Sequence, residues 1–249
     1  MLEGRLQNRV ALITGASRGI GRAVALRFAK EGAHLILCAR TQGALEGLDE
    51  EILKLTGNNA TLAPLDLRNF DSIEQMAAAV FERFKRLDVL VGNAGLLKSL
   101  SPMAQVSPKD WDEVIDTNLT ANYRLLRSFD PLIRVSKAGR IIFVSSTVTQ
   151  GVWPFWGAYA VSKAGLETMI KTYASENKKS KIRANIINPG PTRTNMRPIA
   201  YPGENPNTIK PPEDVTEYFL QLAEEVCDLN GEIVQIDGLK NLDIEDDLG

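Results

Sequence analysis

With one histidine and two cysteines in 249 residues, the sequence has too few of either to build a zinc site or a disulfide framework. That scarcity sets the expectation of a reduced, cytoplasmic protein without a metal. Charge of one sign is also missing: 29 Lys plus Arg face 31 Asp plus Glu, so no global field draws the chain to nucleic acid or to an anionic membrane. No uncharged apolar run approaches membrane-spanning length, and residues 1–9 hold no signal-peptide core. Linkers rich in Pro, Gly or Ser are absent, as are repeats of solenoid period, so residues 1–249 are expected to form one domain. Apolar residues make up 44% of the chain and charged residues 24%, which supplies a packed core and excludes disorder and low complexity.

What is present is a rhythm. Short runs rich in Val, Ile and Leu occur at 10–13, 35–38, 61–65, 89–91, 141–144, 182–187 and 233–236. Most are continuously apolar rather than alternating, as expected of strands buried on both faces of a parallel sheet. Helical periodicity fills the gaps at 19–31, 43–55, 70–86, 109–135, 158–178 and 213–226. The β-α-β alternation predicts a doubly wound Rossmann fold, a seven-stranded parallel sheet flanked by helices. The stretch 189–212 carries seven prolines and no sustained periodicity, which reads as a lid over a substrate. Residues 239–249 read as a solvated acidic tail.

The first strand runs into Thr14-Gly15-Ala16-Ser17-Arg18-Gly19-Ile20-Gly21 and then into a helix. Glycines at such a turn let the backbone bend tightly and approach a pyrophosphate, whose charge is stabilised by N–H groups at the helix start. The spacing is G-x-x-x-G-x-G, and a purely structural glycine turn is the competing explanation. At the end of the second strand, Cys38-Ala39-Arg40-Thr41 offers no carboxylate for a ribose 2′-hydroxyl. It offers a guanidinium instead, and Arg18 can reach the same 2′-phosphate, so NADP(H) is expected over NAD(H). A charge-assisted contact of that kind contributes roughly 1.5–3 kcal/mol. Asp66-Leu67, after the third strand, suits either an adenine edge or, for Asp66, a helix N-cap.

In Tyr159-Ala160-Val161-Ser162-Lys163 the i, i+4 spacing sets phenol and ammonium on one helix face. An ammonium about 4 Å from the phenol at an effective dielectric of about 20 would favour phenolate by up to roughly 4 kcal/mol. By itself such a pair is an ordinary surface pair. However, Ser145-Ser146-Thr147 ends the fifth strand, at the sheet edge where ligands bind. Asn118 falls on the apolar stripe through Trp111, Val114 and Ile115, where a catalytic amide and a structural amide are both open.

These residues, with Asn93-Ala94-Gly95 and Pro189-Gly190-Pro191-Thr192-Arg193-Thr194, resemble the short-chain dehydrogenase/reductase family over nearly the whole chain. Within it, the runs around Gly95, Tyr159 and Arg193 look most like YciK-type bacterial oxidoreductases. The family places its serine 13 positions before the tyrosine, which selects Ser146 over Ser145. The resemblance implies hydride transfer between NADP(H) and a carbonyl or secondary alcohol, with Tyr159 as general acid or base. It implies that Ser146 holds the substrate oxygen, that Lys163 lowers the Tyr159 pKa and binds the nicotinamide ribose, and that Asn118 holds a relay water. Asn93, beside Ala94 and Gly95, is implied near the ribose, and Ile187, Pro189 and Gly190 at the nicotinamide face. Thr192 and Thr194 are implied among the cofactor residues. The chain departs from the family pattern at Gly92, where an asparagine is frequent, and at Asp237-Gly238-Leu239, where a second glycine is frequent.

Leu96, Met103, Trp153, Pro154, Phe155, Trp156, Met196 and Tyr201 are the candidate pocket residues, suggesting an apolar or aromatic carbonyl compound. A homodimer or homotetramer is the assembly the resemblance implies, with Leu125, Leu126, Phe129 and Ile133 available either to it or to the chain's own core. Two alternatives stay open: reduction of a 3-oxoacyl group on a carrier protein, and a catalytically silent NADPH sensor or scaffold.

Overall fold

The computed structural model describes residues 4–236. The acidic tail and Asp237-Gly238-Leu239 lie outside the described residues. Seven strands, β1 (Val10–Thr14), β2 (His34–Ala39), β3 (Thr61–Pro64), β4 (Val89–Gly92), β5 (Arg140–Val144), β6 (Arg183–Asn188) and β7 (Ile233–Gln235), form one sheet. Their order is β3-β2-β1-β4-β5-β6-β7, with every pairing parallel. The order reverses between β1 and β4, which opens a crevice at the carboxyl ends of the strands, where such sheets bind ligands.

Both faces are covered, and alternate strand residues go to different layers. Leu12, Ile36, Leu90 and Ile141 pack with α3 (Phe70–Phe84), α5 (Ala121–Val135) and α6 (Gly157–Glu176). Ile13, Leu37, Val91 and Ile142 pack with α1 (Gly19–Lys30), α2 (Gln42–Thr56) and α8 (Thr216–Ala223). Burial on both sides is why these strands read as unbroken apolar runs. Leu125, Leu126, Phe129 and Ile133 all lie in the first of these cores, so they pack within the chain; the exposed apolar residues of α5 are Tyr123 and Val135. No helix among the described residues is long and apolar enough to cross a membrane.

Three elements differ from the sequence expectation. The stretch 109–135 is interrupted: α4 (Pro108–Ile115) ends in a π-helical turn at Asp116–Thr120 before α5 begins. Ser107 caps α4 by accepting from the Asp110 amide, with Pro108 in the first turn. The α3 N-cap is Asn69, whose side chain accepts from Ser72, and not Asp66. The Asp66 carboxylate instead accepts from the Arg68 amide at 3.0 Å and pairs with the Arg68 guanidinium. Lastly, 213–226 resolves into a 3-10 turn at Pro212–Val215 followed by α8. The proline-rich stretch is pinned at its ends by a bridge between Thr192 and Lys210 and carries the short helix α7 (Arg197–Ala200).

Candidate active site

The β1–α1 turn is built by its glycines. Gly15 has φ +64°, and a Cβ there would lie 2.9 Å from the Ala94 Cα; Gly19 has φ +56°. Only glycine sits in that conformation without strain. A Cβ on Gly21 would come within 2.4 Å of the Gly15 carbonyl oxygen, so Gly21 lets α1 close onto the turn. It does not itself reach the cleft. The helix starts at Arg18 with no side-chain cap and no acidic residue in its first turn, leaving its N–H groups to an external anion.

Thr14 and Asn93 lock this turn to β4. The Thr14 hydroxyl accepts from the amides of Asn93 and Ala94, at 3.0 and 3.1 Å, and the Asn93 side chain donates to the carbonyls of Thr14 and Gly15. Asn93 therefore lines the cleft as a clamp, its amide hydrogens already committed. Gly92 has a packing cause: a Cβ there would fall 2.4 Å from the Phe143 ring.

The cleft has a volume of about 510 Å³ and runs from this turn to the substrate loop. It is lined by Gly15, Ser17, Arg18, Gly19 and Ile20 of the turn and by Arg40, Asp66 and Leu67 after β2 and β3. Ala94 and Gly95 follow after β4, then Ser146, Tyr159 and Lys163, and finally Pro189, Gly190, Thr192 and Thr194 after β6. Neither the Arg18 nor the Arg40 guanidinium makes a hydrogen bond or ion pair among the described residues, so both can meet a phosphate. Thr194 reaches back over the turn, its methyl 3.3 Å from where a Gly19 Cβ would stand. Of the aromatic and apolar candidates, Leu96, Trp153, Trp156, Met196 and Tyr201 line the pocket; Met103, Pro154 and Phe155 do not, and Met103 packs over Gly157 instead. Ile187 is buried behind the wall, where its carbonyl accepts from the Ser145 amide.

Both Ser145 and Ser146 line the cleft, so alternation does not part them, but their side-chain partners differ. Ser145 donates to Glu167, whereas Ser146 lies close enough to the Tyr159 phenol to influence its proton. Burial pushes that phenol up to about 12, with the Ser146 hydroxyl pulling the other way. This reverses the expected lowering by Lys163. The Lys163 Nζ donates to the Val144 carbonyl at 2.7 Å and lies over the tyrosine ring, 5.7 Å from its centre. Burial in turn pushes the Lys163 ammonium down to about 8, opposed by the Glu167 carboxylate.

Asn118 does not line the cleft. It is fully buried in the π-helical turn, where its Oδ1 accepts from the Leu96 amide at 2.7 Å. Its Nδ2 donates to the Leu96 carbonyl at 2.9 Å and to the Ser162 hydroxyl at 3.0 Å. The side chain thus ties the loop after β4 to the helix that carries Tyr159, which is the structural alternative. Glu167 was absent from the sequence expectation. It stands one helical turn beyond Lys163 and accepts from Ser145 and Thr149, clamping the segment that presents Ser146. Its i+8 and i+4 spacing from Tyr159 and Lys163 was the available signal.

A crevice that joins a glycine turn to Ser146 and to the buried Tyr159 and Lys163 defines the class. Residues 9–204 match the short chain dehydrogenase family, and the chain belongs to it. It is 38% identical over 219 residues to the oxidoreductase YciK of Escherichia coli K12, covering 87% of this chain and 86% of that one. The 3-oxoacyl-[acyl-carrier-protein] reductase FabG of Thermotoga maritima is 34% identical over 245 residues, covering 94% and 98%. A short chain dehydrogenase of Shigella flexneri, solved with NADP, superposes with a TM-score of 0.91 at 35% identity, covering 95% of this chain and 100% of that one.

Proposed function

We propose that the chain moves a hydride between NADP(H) and a carbonyl or secondary alcohol, with Tyr159 as the general acid or base. The observation that carries this reading is the buried Tyr159 phenol, set with Ser146 and Lys163 in the same cleft as the glycine turn. The cofactor, when bound, supplies the hydride. Uncapped amides at the start of α1 suit its pyrophosphate, and Arg18 with Arg40 suits a 2′-phosphate, a choice supported by the NADP-bound relative.

The chain's own residues handle the proton. Burial keeps the phenol protonated at neutral pH, the state that donates to a carbonyl oxygen in reduction; in oxidation the same oxygen takes the proton back. Ser146 presents a second hydroxyl to the same oxygen and stabilises the charge that develops there. Lys163, buried against the Val144 carbonyl, adds positive charge beneath the ring.

Tyr159→Phe should bind NADPH about as tightly as the parent chain and lose at least about two powers of ten in turnover, the usual share of a general acid. Full activity in that variant would remove the assignment. A second reading, reduction of 3-oxoacyl groups on a carrier protein, is favoured by the Thermotoga relative. Rates with free and carrier-bound 3-oxoacyl thioesters separate the two.

A further inference from the structure

Charge is spread unevenly along the cleft. At its nucleotide end the Arg18 and Arg40 guanidinium groups make no hydrogen bond or ion pair among the described residues. Toward the substrate loop, Lys98 and Arg197 of the lining are each held by a carboxylate, while Lys163 is held by the Val144 carbonyl. Lys98 meets Glu113 at 2.6 Å and Asp110 at 3.2 Å. Arg197 meets Glu204 through two nitrogens, with Nη2 to Oε1 at 2.7 Å. That fork uses the edge of the guanidinium where a carboxylate binds best. Its face is used as well, because the Arg197 Cζ stacks 3.8 Å from the centre of the Tyr201 ring. Tyr201 lies 6.1 Å from Trp156, and Trp156 lies 5.9 Å from Tyr159, so a row of rings leads from the neutralised pair to the reacting phenol.

From this contrast we infer that Arg197 and Glu204 are specificity-determining residues that make the substrate end a charge filter, admitting neutral aromatic or apolar carbonyl compounds and turning away those with a carboxylate. The inference deepens the hydride-transfer reading above and rests on it. A carboxylate entering here finds its natural partner already occupied. It must displace Glu204 or lie unpaired against aromatic surface, and both are unfavourable. An exposed ion pair would be a weak stabiliser and need no special reading. This one has Arg197 in the pocket wall and in ring contact with Tyr201.

Methyl 4-formylbenzoate and 4-formylbenzoate differ by one charge at the far end of the same ring, and they test the filter. Two readouts apply: kcat/KM with NADPH, and quenching of the fluorescence of Trp153 and Trp156, which needs no turnover. The parent chain should favour the ester by about tenfold or more in both. Glu204→Gln should bring that ratio to about one or invert it, because a freed guanidinium contributes about a power of ten toward a carboxylate. Adding Arg197→Met to that variant should restore the preference for the ester. Equal handling of both compounds by the parent chain overturns the filter. So does a Glu204→Gln variant that weakens both alike, since the pair would then be only a loop latch. A parent chain that binds the two with the expected ratio yet reduces neither upholds the filter and removes the hydride-transfer reading.

Discussion

At the scale of the residue, Lys163 shows a cost carried for the site. In an unfolded chain its ammonium titrates near 10.4, while in the fold burial pushes it down to about 8. Below about pH 8 both states hold the proton, and burying the charge costs on the order of 3 kcal/mol. Between about 8 and 10 the folded state has released its proton and the unfolded state has not, so stability rises with pH and the penalty fades. Lys163→Met should therefore melt at a higher temperature than the parent at pH 7, by a margin that shrinks toward pH 10, and be inactive throughout. The carbonyl of Val144, left without its donor, reduces the gain. Calorimetry at the two pH values checks this; a variant less stable at pH 7, or a margin that widens with pH, contradicts it. Side-chain direction was not legible in the sequence. The spacing sets Tyr159 and Lys163 on one face, but only the fold shows that Nζ is spent on the carbonyl of Val144 at the strand end.

At the scale of the element, the strands were legible to within about a residue because two covered faces leave few polar positions inside a strand, such as Asn185 in β6. The break between α4 and α5 was not. Apolar positions keep their helical spacing through Asp116–Thr120, and a π-helical turn adds one residue without a composition change to announce it. What the turn gains is placement: it carries Asn118 inward, where its amide joins the loop of Leu96 to the helix of Tyr159 through Ser162. Asn118→Ala strands the Leu96 amide and carbonyl, at roughly 1–3 kcal/mol for each buried group left unpaired, so the loss should total about 2–5 kcal/mol. Urea unfolding should show that loss at unchanged m-value, together with weaker NADPH binding as the loop loosens. A loss below about 1 kcal/mol would mean that water or a shift of the loop takes over those bonds.

At the scale of the whole molecule, the crevice lies where the strand order reverses, so a ligand there touches the turn after β1, the ends of β2 and β3, the loops after β4 and β5, and the segment after β6. Binding should therefore stabilise the whole fold and not one loop of it. At a free concentration of one hundred times the dissociation constant, NADPH should add about 2.7 kcal/mol. For a chain of this size that raises the melting temperature by roughly 5–10 °C. On the proposal that Arg18 and Arg40, which line the cleft without a hydrogen bond or ion pair among the described residues, meet the 2′-phosphate, the effect should be selective. NADH at the same concentration should shift the melting temperature far less, and Arg18→Ala with Arg40→Ala should lower the NADPH shift to the NADH value while leaving the latter unchanged. Equal shifts for the two nucleotides in the parent chain, or equal losses of both in the double variant, would assign these arginines to general phosphate attraction and not to the choice between cofactors.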